Sequence, residues 1–133
     1  MSDALDTNVL VRLATHDDPG QFKKAERLVR ERFSRSTPAW ISVIVLAEYA
    51  WVLGRLYEYS RGEIADSLIA LLRVDCFRLE DANHVESAIR IFRGSKADFS
   101  DCLIVERNRE RGSDLTHTFD RKAAKLEGFR LIT

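Results

Sequence analysis

The stretch ALDTNVLVR, residues 4–12, carries the reading of the fold. A short apolar run stops at Asp6, Thr7 and Asn8, and a second run, Val9, Leu10, Val11 and Leu13, begins at once. The first has strand character over residues 3–6, and the second recurs at helical spacing as far as Ala14. Asp6 therefore stands where a strand passes into a helix. A carboxylate between two segments that both seek burial needs a reason, and a helix cap or a ligand supplies one.

The same passage recurs along the chain. DDPG (17–20) reads as a turn and FKKAERLVRERF (22–33) as a basic amphipathic helix, and Pro38 then resets the backbone before a strand AWI (39–41). Ser42 is a good N-cap for VIVLAEYAWVLGRLY, which is apolar nearly all round and so expected to be buried. Ser60 and Glu63 form the S-x-x-E box of a helix ending near Arg73, followed by a strand over 74–79. Asp81 is placed to cap a helix carrying Val85, Ala88, Ile89 and Phe92; ADFSDCLIVERNRERG then forms another, stopped by Gly112. A strand at 115–118, a short helix at 120–126, Gly128 and the strand FRLI complete the chain. Strands alternating with helices imply βαβ units, hence an α/β fold with a parallel sheet covered on both faces. In such sheets the ligand crevice lies beyond the carboxyl ends of the strands, where Asp6 and Asp120 fall.

At 133 residues, 45% apolar and 32% charged, the chain has the composition of one globular domain, residues 1–133. Its 21 basic and 21 acidic residues cancel, so a nucleic-acid partner must use a local patch. Two cysteines, Cys76 and Cys102, are too few for a disulfide framework and suit buried thiols in a reducing cytoplasm. No apolar run approaches the ~20 residues of a membrane span, and the start lacks the plan of a signal peptide. A soluble cytoplasmic protein with no membrane partner is expected.

The acids carry the chemistry. Glu48 has Ile44, Val45, Trp51 and Val52 as its helical neighbours, so no local cation neutralises it. A distant arginine such as Arg12, a raised pKa or a metal ion would answer that demand. Asp98 and Asp101, at i and i+3 of ADFSD, share one side of a first helical turn, and Asp101 leads into Ile104 and Val105 and faces inward. Asp98 reads equally as an N-cap, and Asp101 as a third-position acid favoured by the helix dipole. Asp120, in THTFDRKAAK, also has a capping explanation. Taken together, the acids at one end of one sheet need a common cause. Two like charges 4 Å apart cost ~4 kcal/mol at an effective dielectric near 20, which a cation relieves. Mg²⁺ or Mn²⁺ suits an all-acid site, and phosphodiester hydrolysis is the chemistry such a site performs. Thr7, Asn8, Ser42 and Thr118 are the supporting candidates, through hydrogen bonds to carboxylates or water, with capping and turn roles as the alternative.

The blocks LDTNVLVR, Glu48 within VIVLAEYAWVL, ADFSDCLIVE and THTFDRKAAKLEGFRLI, in this order and spacing, resemble the PIN-domain family, most closely its VapC-type toxins of prokaryotic toxin–antitoxin pairs. The resemblance spans nearly the whole chain. It implies a Rossmann-like three-layer α/β/α sandwich and a Mg²⁺- or Mn²⁺-dependent endoribonuclease, with Asp6, Glu48, Asp101 and Asp120 as the acidic quartet and Asp98 as an accessory acid. It further implies a homodimer and a cognate antitoxin, at which the apolar helical surface of 43–72 also hints. SDAL is less apolar than the family's usual opening, and Cys102 stands where alanine or another apolar residue is common. For RNA, Arg121 and Lys122 beside Asp120, and the Arg107, Arg109 and Arg111 group, are candidate phosphate contacts, although solvated helix faces look alike.

Three rival readings fit the same residues. One is a related nuclease acting on DNA or structured nucleic acid. The second, a phosphoryl-transfer protein with an aspartyl nucleophile, lacks a convincing flanking acid around Asp6-Thr7-Asn8. The third is a PIN-fold binding module without turnover.

Overall fold

Pairing between Ala39–Ile41 (β1) and Phe77–Leu79 (β2) is parallel, Ala39 opposite Phe77 and Ile41 opposite Leu79, in a computed structural model that describes residues 3–133. A second parallel pair joins Thr116–Thr118 (β3) to Phe129–Leu131 (β4). Both pairs are bridged through helices, so the fold class is α/β with parallel strands. The chain divides into two units, one running to Ala82 and the other Asn83–Thr133.

In the first unit, Asp6 caps helix α1 (Thr7–Thr15) by accepting Thr7 N–H at 2.8 Å, and His16 ends it with a left-handed φ of 55°. Asp18 caps α2 (Pro19–Arg32) through Gln21 N–H at 3.0 Å, with Pro19 at the first position, where its missing donor is harmless. Ser42 accepts Val45 N–H at 3.2 Å and Glu80 accepts Val43 N–H at 2.9 Å, so the start of α3 (Val43–Leu56) is held from two sides. The Ser60–Glu63 box is complete at the head of α4 (Arg61–Leu72). Leu10, Val11, Leu46, Tyr49, Leu53 and Leu68 are buried.

In the second unit come α5 (Ala82–Arg93), which begins one residue before the boundary, and α6 (Phe99–Glu110). The rings of Phe92 and Phe99 meet edge to face, centroids 5.9 Å apart. Gly112, with φ 89°, lies just past α6. A 3₁₀ turn (Ala123–Lys125) precedes β4. Gly128 has φ 98°, and a Cβ there would stand 2.5 Å from Val105 Cγ2, so this position admits only glycine without displacement of α6.

Several expectations change. The strand at 3–6 is a single bridge, Ala4 to Trp40, held by Leu5 N–H to Trp40 O at 3.0 Å and Trp40 N–H to Asp3 O at 2.9 Å, because the cap at Asp6 turns the chain into α1. Ser2 of SDAL lies outside the described residues. The strand at 74–79 shortens to β2, since Phe77 N–H closes a turn onto Val74 O. The helix at 120–126 contracts to one 3₁₀ turn. Asp81 precedes α5 with a left-handed φ of 49°, where a capping residue is ordinarily extended. Cys102 is buried but Cys76 only half-buried. The all-round apolar α3 is not buried all round: Ile44 is 72% exposed and Trp51 60%. Among the described residues, no helix is long and apolar enough to cross a membrane.

Candidate active site

The candidate acids divide between the units, Asp6 and Glu48 in the first and Asp98, Asp101 and Asp120 in the second. In the first, Thr7 is the organising residue. Its backbone N–H binds Asp6 Oδ1 at 2.8 Å, and its hydroxyl donates to Glu48 Oε1, also at 2.8 Å. Thr7 itself is buried. One fixed residue thus orients two carboxylates 42 positions apart in sequence, one through main chain and one through side chain. Both carboxylates belong to exposed residues.

For Glu48 this corrects the burial expected from its apolar neighbours, because Ile44 and Trp51 flank it on the solvent side of α3. The arginine alternative also falls away. Arg12 donates instead to Gln21 Oε1 at 2.6 Å, Tyr57 Oη at 3.1 Å and Asp17 Oδ1 at 3.3 Å. Tyr57 Oη in turn donates to Asp17 at 2.7 Å, and this bond, with that from Thr15, holds the Asp17 carboxyl below the usual range. The Ser42 hydroxyl is engaged as the cap of α3. Asn8 is exposed on the first turn of α1.

In the second unit, Asp98 occupies the N-cap position of α6 but its side chain makes no capping bond, which leaves its oxygens to other partners. Asp101 is half-buried. Burial, and then the carboxylates of Asp120 and Asp98, raise its pKa, against the Asp98 N–H bond that lowers it. Asp120 Oδ1 accepts Lys122 N–H at 2.8 Å and Ala123 N–H at 3.1 Å, while Asp120 N–H donates to Thr118 Oγ1 at 2.9 Å. Thr118 therefore fixes the backbone of Asp120 rather than its carboxylate. Asp98, Asp120, Arg121 and Lys122 line a cavity of about 400 Å³, joined by Phe119, whose ring is 78% exposed. Sequence reasoning passed over Phe119; its signal was an aromatic set between the polar Thr118 and Asp120. Arg107 is half-buried on α6 and does not line this cavity, and Arg109 packs over Gly128, where its guanidinium donates to Glu127 O.

Among the described residues, no group of three or more His, Cys, Asp or Glu side chains is gathered closely enough to hold a metal ion. Asp6, Glu48 and Asp120 are each turned to the local donors named above. The donor chemistry nevertheless fits a hard divalent cation: every candidate is a carboxylate, and the mutual pressure on Asp101 is of the kind such an ion relieves.

The sequence profile of the family described as PIN domain matches residues 4–128. The chain is also similar to a protein named VapC ribonuclease from Aquifex aeolicus (strain VF5), with 23% identity over 128 residues, covering 96% of this chain and 93% of the other.

Proposed function

Because the chain belongs to the PIN-domain family, we propose that it is a divalent-metal-dependent endoribonuclease, and the toxin of a toxin–antitoxin pair. The similarity to a VapC ribonuclease supports RNA as substrate and an antitoxin as partner. In this reading residues 1–133 act as a single PIN domain in the cytoplasm. Asp6 and Glu48 of the first unit, and Asp101 and Asp120 of the second with Asp98 as an accessory, are the residues that would hold Mg²⁺ or Mn²⁺. With the ion bound, these carboxylates would have beside them an acidified water and a positive charge to offset that developing on the phosphodiester.

The chain's own residues do the rest. Thr7 sets the rotamer of Glu48 and anchors Asp6. Arg121 and Lys122 grip phosphate beside Asp120, and the exposed Phe119 ring offers a face on which a base stacks. Ile44, Trp51 and Leu56, all exposed on α3, form the apolar surface through which two copies pair.

The observation that carries the reading is the pair of hydrogen bonds that Thr7 donates to two acids, since a structural cap needs only one of them. The test compares cleavage of single-stranded RNA, tRNA and DNA with Mg²⁺ and with chelator. Asp6→Asn and Glu48→Gln are expected to keep the fold and lose both RNA cleavage and growth inhibition. Undiminished cleavage by both variants would refute the assignment, and preferential cleavage of DNA would move it to a DNA nuclease.

A further inference from the structure

The second unit contains another cavity, of about 470 Å³, walled by Arg90, Ser95, Lys96, Lys122, Lys125 and Glu127 among others. Four cations face one acid there, in a chain whose net charge is zero. Part of this has a plain structural cause. Arg90 lies in the last turn of α5, where a cation meets the negative end of the helix, and it pairs at 3.8 Å with exposed Glu86. That cause does not reach Lys122 and Lys125, which arrive from the segment following β3. Among the described residues, the ammonium groups of Lys96, Lys122 and Lys125 form no ion pair with an acid. Ser95 adds a donor: its hydroxyl oxygen is buried without a hydrogen-bond partner. Unneutralised ammonium groups gathered around a hollow repel one another, and an anion reverses the sign of that energy.

Lys122 also lines the cavity that contains Asp98 and Asp120. The basic hollow therefore shares a wall residue, Lys122, with the acid-lined one. We propose that this cavity is a docking site for a backbone phosphate of the RNA, adjacent to the phosphodiester that is cut. The proposal rests on the RNA reading above and deepens it: Arg90, Lys96 and Lys125 become substrate-positioning residues, and Ser95 Oγ a donor to the phosphate. Contacts of this type fix register and carry no base preference.

Lys96 and Lys125 are exposed, so their replacement leaves the fold alone. The experiment measures binding of a labelled single-stranded oligoribonucleotide in the presence of chelator, from low to physiological salt. It uses the full chain, a Lys96→Ala/Lys125→Ala double variant and the corresponding double arginine variant. Each lost phosphate contact removes about 0.7 from the salt slope for single strands, so the alanine variant should show a slope lower by about 1.4 and roughly tenfold weaker binding near physiological salt. The arginine variant should bind within about twofold of the parent. With Mg²⁺, KM should rise in the alanine variant while kcat stays within about twofold. Binding and slope unchanged in the alanine variant overturn the proposal, whether or not the parent cleaves RNA. Weakened binding of polyglutamate with RNA binding intact also overturns it, in favour of an acidic protein segment. If the parent binds RNA and never cleaves it, the nuclease reading fails alone, and a lower slope in the variant still supports the phosphate site.

Discussion

Replacing Thr7 with valine keeps the buried β-branched shape and deletes one atom's chemistry, the hydroxyl that donates to Glu48 at 2.8 Å. A hydrogen bond to a charged acceptor contributes about 1.5–3 kcal/mol when both groups are enclosed. Glu48 is exposed, so water replaces the lost donor and the stability change shrinks to about 1 kcal/mol or less. For a chain of 133 residues that lowers Tm by roughly 4 °C at most. Activity responds more strongly, because the carboxylate loses the contact that orients it, and losses of this kind run to about 10–100-fold. Thr7→Ser restores the donor and gives up a methyl group, so its cleavage rate should stay within about threefold of the parent while its Tm falls. The assay is Mg²⁺-dependent cleavage of single-stranded RNA beside a thermal melt. Full activity in Thr7→Val, or equal damage from serine and valine, would show that packing at this position matters and the bridge does not.

Other perturbations read the framework. Tyr49 is buried and its phenol is pushed up to about 12, first by burial, so the folded state holds the neutral form after the unfolded chain, near 10, has ionised. Its contribution is intact below pH 10 and lost as pH rises toward 12, and Tyr49→Phe should reduce the alkaline loss of stability by about 2–3 kcal/mol in denaturant titrations at the two pH values. Tyr57→Phe removes the main bond depressing Asp17, so the Asp17 titration followed by NMR should move up toward 3.8. Since a depressed carboxyl stabilises above its unfolded pKa and loses that as pH falls, the variant should also show a weaker acid dependence of stability. Gly128→Ala forces a Cβ against Val105 at a φ of 98°, and should cost at least about 2 kcal/mol by urea unfolding.

What was legible in the sequence is what is local. Ser60 and Glu63 announce α4 because both halves of the box lie within one turn, and Ser42 announces α3 in the same way. Strand lengths were not legible: β2 keeps three residues because β1, far away in the chain, offers three partners. Glu48 stands out in the sequence for lacking a local cation, yet its burial was misread, since a helix apolar on every side does not say which side the rest of the chain covers. The capping alternative for Asp98 could not be judged from ADFSD, because position and hydrogen bond are separate facts and only the first is written in the sequence. The basic cavity was hidden for a third reason. Nothing in the sequence around Lys96 or Lys125 says that the two line one cavity.

The two strand ladders differ in the length of chain that separates their partners. Ala39 finds Phe77 across two helices, whereas Thr116 finds Phe129 across a single 3₁₀ turn, and the first excursion is roughly three times the second. For a flexible chain that ratio amounts to about 1 kcal/mol of extra closure entropy. The order of assembly during folding follows: the β3–β4 amides should acquire protection from hydrogen exchange before those of β1–β2, so Asp120 is seated on its turn while the end of β1, from which α3 departs, is still searching for its neighbour.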